Sequence, residues 1–85
     1  MLTQEEIERL QAYNPSYTID TPLVEGDFPL GTILKDTNHL YIVKGYFERS
    51  NDSERGIILH RVVDRKVNLY THPKEWSGYW CVLLS

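Results

Sequence analysis

The sequence predicts a mostly β domain, α+β by content. A short N-terminal helix is followed by a five-stranded curled antiparallel sheet or small open barrel, with a one-turn helix before the last strand. Three observations carry this reading. Apolar residues recur at helical spacing only near the N-terminus, between Thr3 and Tyr13. From Gly31 to Ser85 the chain runs G-T-I-L, H-L-Y-I-V-K-G-Y-F-E, G-I-I-L-H-R-V-V, K-V-N-L-Y-T and Y-W-C-V-L-L, with polar or Gly-bearing breaks between. A length of 85 residues leaves room for one core. The expected organisation is a single domain over 1–85: helix at 1–13, irregular connection at 14–30, β-meander at 31–85.

Each element has a local cause. Thr3 suits an N-cap, and Glu6 three residues on completes a capping box. Glu5 and Glu6 in the first turn complement the helix dipole, and Glu5 with Arg9 makes an i,i+4 pair. Ile7 and Leu10 form a narrow apolar stripe with Leu2 or Tyr13 at its ends, and Asn14-Pro15 stops the helix. So short a helix is marginal alone and must dock on the sheet or on a partner. Tyr17-Thr18-Ile19 suits a short edge strand. Pro22 and Pro29 exclude a long central strand between them, and Glu25-Gly26-Asp27 is a turn.

From Gly31 the expected strands are 32–35, 39–48, 56–64, 67–71 and 79–84. Gly45, inside the longest strand, marks a bulge or bend that lets the strand cross from one side of a curled sheet to the other. Ser50 to Arg55 is an exposed loop, Asp64-Arg65-Lys66 a turn, and His72-Pro73-Lys74-Glu75-Trp76 a single helical turn. Five short strands at this spacing, with a one-turn helix before the last, resemble the layout of small open β-barrels of the Src-homology type.

Composition bounds the function. The one cysteine, Cys81, excludes an intrachain disulfide. With no signal-peptide pattern at the N-terminus, this points to an intracellular, cytoplasmic setting. No stretch approaches the roughly 18 apolar residues that span a membrane. Net charge is −3, unevenly spread: residues 1–30 hold six acids against Arg9, a balance of −5, and residues 31–85 hold eight bases against six acids, a balance of +2. The acidic total argues against nucleic acid as partner.

No motif names a cofactor, a metal or a nucleophile. His39, His60 and His72 lie in separate elements without zinc-ligand spacing. Cys81 sits among apolar neighbours that raise a thiol pKa and quiet it. There is no G-x-S-x-G and no Gly-rich phosphate loop, so an enzyme is not expected. Lys44, Arg49, Arg55, Arg61, Arg65 and Lys66 interleave with Tyr41, Tyr46, Phe47 and Tyr70. That pattern suits either a stacking track for single-stranded nucleic acid or the core of a small barrel.

The leading functional expectation is a non-catalytic protein-binding module. A compact, acidic, motif-free domain fits the profile of accessory proteins from phages and other mobile elements, including inhibitors that occlude a host enzyme. Its candidate contact residues are Glu5, Glu6, Glu8, Asp20, Glu25 and Asp27, with Trp76 and Tyr79 from the aromatic turn W-S-G-Y-W. A second expectation is a small-ligand binder, gripping a nucleotide-like anion as a homo-oligomer through Arg61, Arg65, Lys66, Tyr70 and His72. A third is nucleic-acid binding by the barrel face.

Overall fold

A computed structural model describes residues 1–35, 38–51, 54–71 and 81–84, the last four and Thr71 by their backbone. Helix α1 spans Gln4–Tyr13. The strands are β1 Tyr17–Ile19, β2 Ile33–Lys35, β3 Leu40–Arg49, β4 Arg55–Arg61, β5 Val67–Thr71 and β6 Cys81–Leu84. All pairings are antiparallel, in the order β5-β4-β3-β2-β6, and β1 joins the sheet on β3. The result is the predicted mostly β architecture, a curled half-barrel with one N-terminal helix.

The helix forms as its sequence dictates. The Thr3 hydroxyl accepts from the Glu6 N–H at 3.1 Å, and the Glu6 carboxylate accepts from the Thr3 N–H at 2.9 Å. At the other end Asn14 caps the helix: its N–H and its side-chain amide both donate to the Leu10 carbonyl. Leu2 and Leu10 are buried and Ile7 is half-buried, so the apolar stripe docks on the sheet. Each such burial contributes roughly 1.5–3 kcal/mol, which a ten-residue helix needs. Tyr13 does not extend the stripe; it stands 81% exposed.

Strand β3 organises everything else. Its first half pairs β2 (Ile33↔Ile42, Lys35↔Leu40) and its second half pairs β1 (Tyr17↔Arg49, Ile19↔Phe47) along the same edge. Between the halves the register with β4 shifts at Val43/Gly45. One extra residue reverses the alternation, so Val43 and Tyr46 bury on the same face although they stand three positions apart. Gly45 leaves room there for Leu2, whose side-chain end lies over it and would have to shift for a methyl group. The bulge predicted at this glycine is present.

The sheet buries both faces. Leu34, Tyr41, Val43, Tyr46, Ile57 and Leu59 form the core of the inner face, closed by Phe28 and Tyr70. Leu2, Leu10, Ile19, Phe47 and Ile58 form the core beneath α1. Strand β4 therefore buries four consecutive residues, Gly56 to Leu59, as expected when both faces are covered. Gly56 faces Phe47, and its missing side chain is where the Phe47 ring lies; that ring stacks in turn on Tyr17 at 5.3 Å.

Residues 17–19 form the short strand that Tyr17-Thr18-Ile19 suits and join the sheet on β3. One boundary differs from the sequence reading. Strand β4 ends at Arg61, not Asp64. The chain turns at Val62–Asp64, closed by hydrogen bonds from Arg65 N–H to the Arg61 carbonyl and from Arg61 N–H to the Lys66 carbonyl, both 2.8 Å. Strand β6 is described from Cys81; the expected helical turn at 72–76 and the start of the last strand at Tyr79 lie outside the described residues.

Candidate functional site

Residues 20–31 carry no regular structure, yet nearly every turn of this segment is tied down. The Tyr46 carbonyl accepts from the N–H groups of Asp20 and Thr21 at 2.9 and 3.1 Å. Asp27 closes a turn on itself: its carboxylate accepts from the Val24 N–H at 3.0 Å and its N–H donates to the Val24 carbonyl. Gly26 supplies the positive φ of 94° that this turn needs. The Tyr46 hydroxyl donates to the Phe28 carbonyl, and the buried Thr32 hydroxyl donates to the Pro29 carbonyl at 2.7 Å.

Arg55 is the common anchor. Its Nε donates to both carboxylate oxygens of Asp27 at 3.0 and 3.2 Å. One terminal nitrogen donates to the Thr21 hydroxyl at 3.0 Å and the Glu48 carboxylate at 3.1 Å, and the other to the Pro22 carbonyl at 2.6 Å. The planar fork of the guanidinium is what allows one side chain to hold three points of the segment and one of the sheet. The group also lies 5.3 Å from the centre of the Tyr46 ring. Asp27 is almost wholly enclosed, with 3% of its side chain exposed. Its hydrogen bond raises the Arg55 pKa further above the ordinary value, against the effect of burial. Burial, aided by the Asp27 charge, pushes the Tyr46 hydroxyl up as well.

This polar frame holds apolar side chains outward. Leu23, Val24 and Leu30 are 57%, 48% and 48% exposed. Met1, Pro22, Leu23 and Leu30 line a shallow hollow of about 270 Å³ floored by Gly45 and Tyr46, with Lys44 to one side and Asp20 at its rim. Apolar side chains thus stand in the open on a backbone tied to the sheet by the Arg55–Asp27 ion pair.

The acidic candidates divide accordingly. Asp20 borders the hollow and Glu25 stands exposed on the neighbouring turn. Asp27 is spent inside, on Arg55. Glu5 and Glu8 are exposed on α1, and no ion pair joins Glu5 to Arg9 among the described residues. Glu6 is held below its ordinary pKa. Burial acts against this, but the Thr3 hydrogen bonds and the charges of Lys44 and His60 outweigh it. Trp76 and Tyr79 lie outside the described residues.

The basic candidates are dispersed. Arg61 forks onto Asp64, within reach of Nε at 3.0 Å, and holds that carboxyl far below the usual carboxylate range. Tyr70 packs edge-on against Tyr41 at 5.7 Å on the face away from α1. His72 lies outside the described residues. Arg65 and Lys66 turn instead toward the end of α1. Of the aromatics that interleave with cations in the sequence, Tyr41, Tyr46 and Phe47 are buried and Tyr70 is half-buried, and Arg49, Arg55 and Arg61 are each ion-paired. Among the described residues no three His, Cys, Asp or Glu side chains converge on a point that would hold an ion, and no helix is long and apolar enough to cross a membrane.

Sequence reasoning passes over the hollow. Its one signal is that Leu23, Val24 and Leu30 stand beside Pro22 and Pro29, in a segment where prolines forbid the strand that would have buried them. Comparison with family models, curated proteins and solved structures finds no match to this chain.

Proposed function

We propose that this chain is a non-catalytic protein-binding module that docks the 20–31 segment onto a partner with a basic surface. The observation that carries the reading is the exposure of Leu23, Val24 and Leu30 on a backbone held by the enclosed Arg55–Asp27 pair. A surface already ordered loses little conformational entropy on binding, so apolar contact converts more fully into affinity. Carboxylates at Asp20 and Glu25, with Glu5 and Glu8 on α1, supply the steering charge in a half that carries −5. An apolar patch bordered by carboxylates competes for the same basic surface that a phosphate group would occupy. Occlusion of such a surface on an enzyme is therefore the mode of action this chemistry favours, the mode of an accessory inhibitor from a phage or other mobile element.

The test is affinity capture from an extract of the native host, followed by kinetics with the purified partner. Leu23→Asp with Leu30→Asp is expected to abolish capture while the fold persists. Reversing Glu5, Asp20 and Glu25 to Lys is expected to slow association and flatten its salt dependence. Capture of the same partner by the Leu23→Asp, Leu30→Asp variant would sink the proposal.

A further inference from the structure

The other end of α1 carries a second concavity of different chemistry. A groove of about 650 Å³ runs between the helix end and the β4–β5 hairpin. That volume lies in the range of small-molecule clefts, roughly 300–1,000 Å³. Leu10, Val67 and Leu69 give it an apolar floor within a lining that is on balance polar, Asn14 and Asn68 included. Arg9 approaches from α1, and Arg65 and Lys66 approach from the hairpin. Tyr13 stands at the margin with 81% of its surface exposed.

The charge here is unlike the rest of the chain. Among the described residues, none of these three cations takes part in an ion pair. The acid that borders the groove, Asp64, is engaged by Arg61 and by the Lys66 N–H at 3.2 Å. The helix end would disfavour an anion through its carbonyls, but Asn14 caps those of Leu10 and Gln11. Arg65 reaches its place at a backbone cost: its φ is +61°, a conformation that glycine or asparagine adopts more readily.

We propose that this groove binds a nucleoside phosphate, with Arg9, Arg65 and Lys66 holding the phosphate and the base lying on the apolar floor against Tyr13. Guanidinium forks grip phosphate at two points, and an ammonium adds a third charge. An aromatic ring and an apolar floor suit the faces of a base. The site is separate from the 20–31 hollow and does not depend on it.

The experiment is amide NMR titration of the intact chain at low salt with adenosine monophosphate, inorganic phosphate and adenosine. Shifts are expected at residues 9–14 and 64–69, with adenosine monophosphate binding more tightly than either half alone. Arg9→Gln and Arg65→Gly are each expected to weaken binding about tenfold, as loss of one charge-assisted hydrogen bond does. Arg65→Gly serves as the folding control, because its melting temperature is expected to be no lower than that of the parent chain. Leu23→Asp with Leu30→Asp should leave nucleotide affinity unchanged. Inorganic phosphate binding as tightly as the nucleotide would overturn the proposal. So would absence of binding, shifts confined to other residues, or affinity indifferent to Arg9→Gln and Arg65→Gly. An oligonucleotide whose affinity climbs with strand length would replace the proposal with a nucleic-acid track.

Discussion

Two exposed regions of this molecule are ordered by opposite means. The 20–31 segment has no helix or strand, and long-range polar bonds hold it; Arg55 reaches 28 residues to Asp27 and 34 to Thr21. The turn at 62–65 sits in a regular hairpin and is held mainly by its own short-range bonds, with one long-range bond from the Val62 N–H to the Leu40 carbonyl of β3 and with Arg65 in an unfavourable conformation. The first region freezes apolar side chains in the open; the second holds cations out. Irregular backbone is thus anchored without helix or strand, because satisfied buried polar groups can tie it to the sheet.

The 20–31 segment is most vulnerable at Arg55. Arg55→Ala leaves the Asp27 carboxylate enclosed without its partner and is expected to cost about 3–5 kcal/mol in urea denaturation. Hydrogen exchange in residues 20–31 should rise more than in β4. A loss under about 1 kcal/mol would mean that the ion pair does not organise the segment.

Gly56→Ala separates stability from either surface. A methyl group there meets the Phe47 ring and the Tyr70 carbonyl, and the carbonyl belongs to a backbone that cannot swing aside. Overpacking of this kind is expected to cost about 2–3 kcal/mol. Gly45→Ala meets the end of the Leu2 side chain, which can move, and is expected to cost less. Equal losses at the two glycines would contradict the packing described for Phe47.

Arg65→Gly sharpens the contrast from the other side. Relief of the left-handed conformation is expected to stabilise the chain by about 0.5–1 kcal/mol, read as a higher urea midpoint. By contrast, Leu23→Asp with Leu30→Asp is expected to stay within about 0.5 kcal/mol of the parent, because these side chains pack on little.

The smallest effect is the pH response of the α1 cap. The folded pKa of Glu6 lies below its ordinary value of 4.5, so its contribution is present above that value. It is lost as pH falls through the lower folded value. Protection of the α1 amides, taken relative to free amides at the same pH, is expected to fall on acidification below about pH 4.5, and Glu6→Gln should remove that step.

What was legible in the sequence was local. Thr3 and Glu6 signal the helix start because both bonds of the capping box lie within three residues. Gly45 signals the bulge because a strand interior tolerates glycine poorly without a reason. The end of β4 was not legible: Val62 and Val63 read as more strand, and the left-handed position falls on Arg65, where no Gly or Asn announces it. The order of 20–31 was not legible either, since its anchor lies in another strand. The apparent mixed basic and aromatic face dissolved because the bulge at Val43/Gly45 shifts parity, sending Tyr41 and Tyr46 together into the inner core.

If the apolar hollow of residues 20–31 is the protein-binding surface, hydrogen exchange of the chain with and without its captured partner will locate the contact there. Slowed exchange across residues 20–31, with residues 62–69 unchanged, is the predicted result. Slowed exchange at 62–69 with none at 20–31 would contradict it.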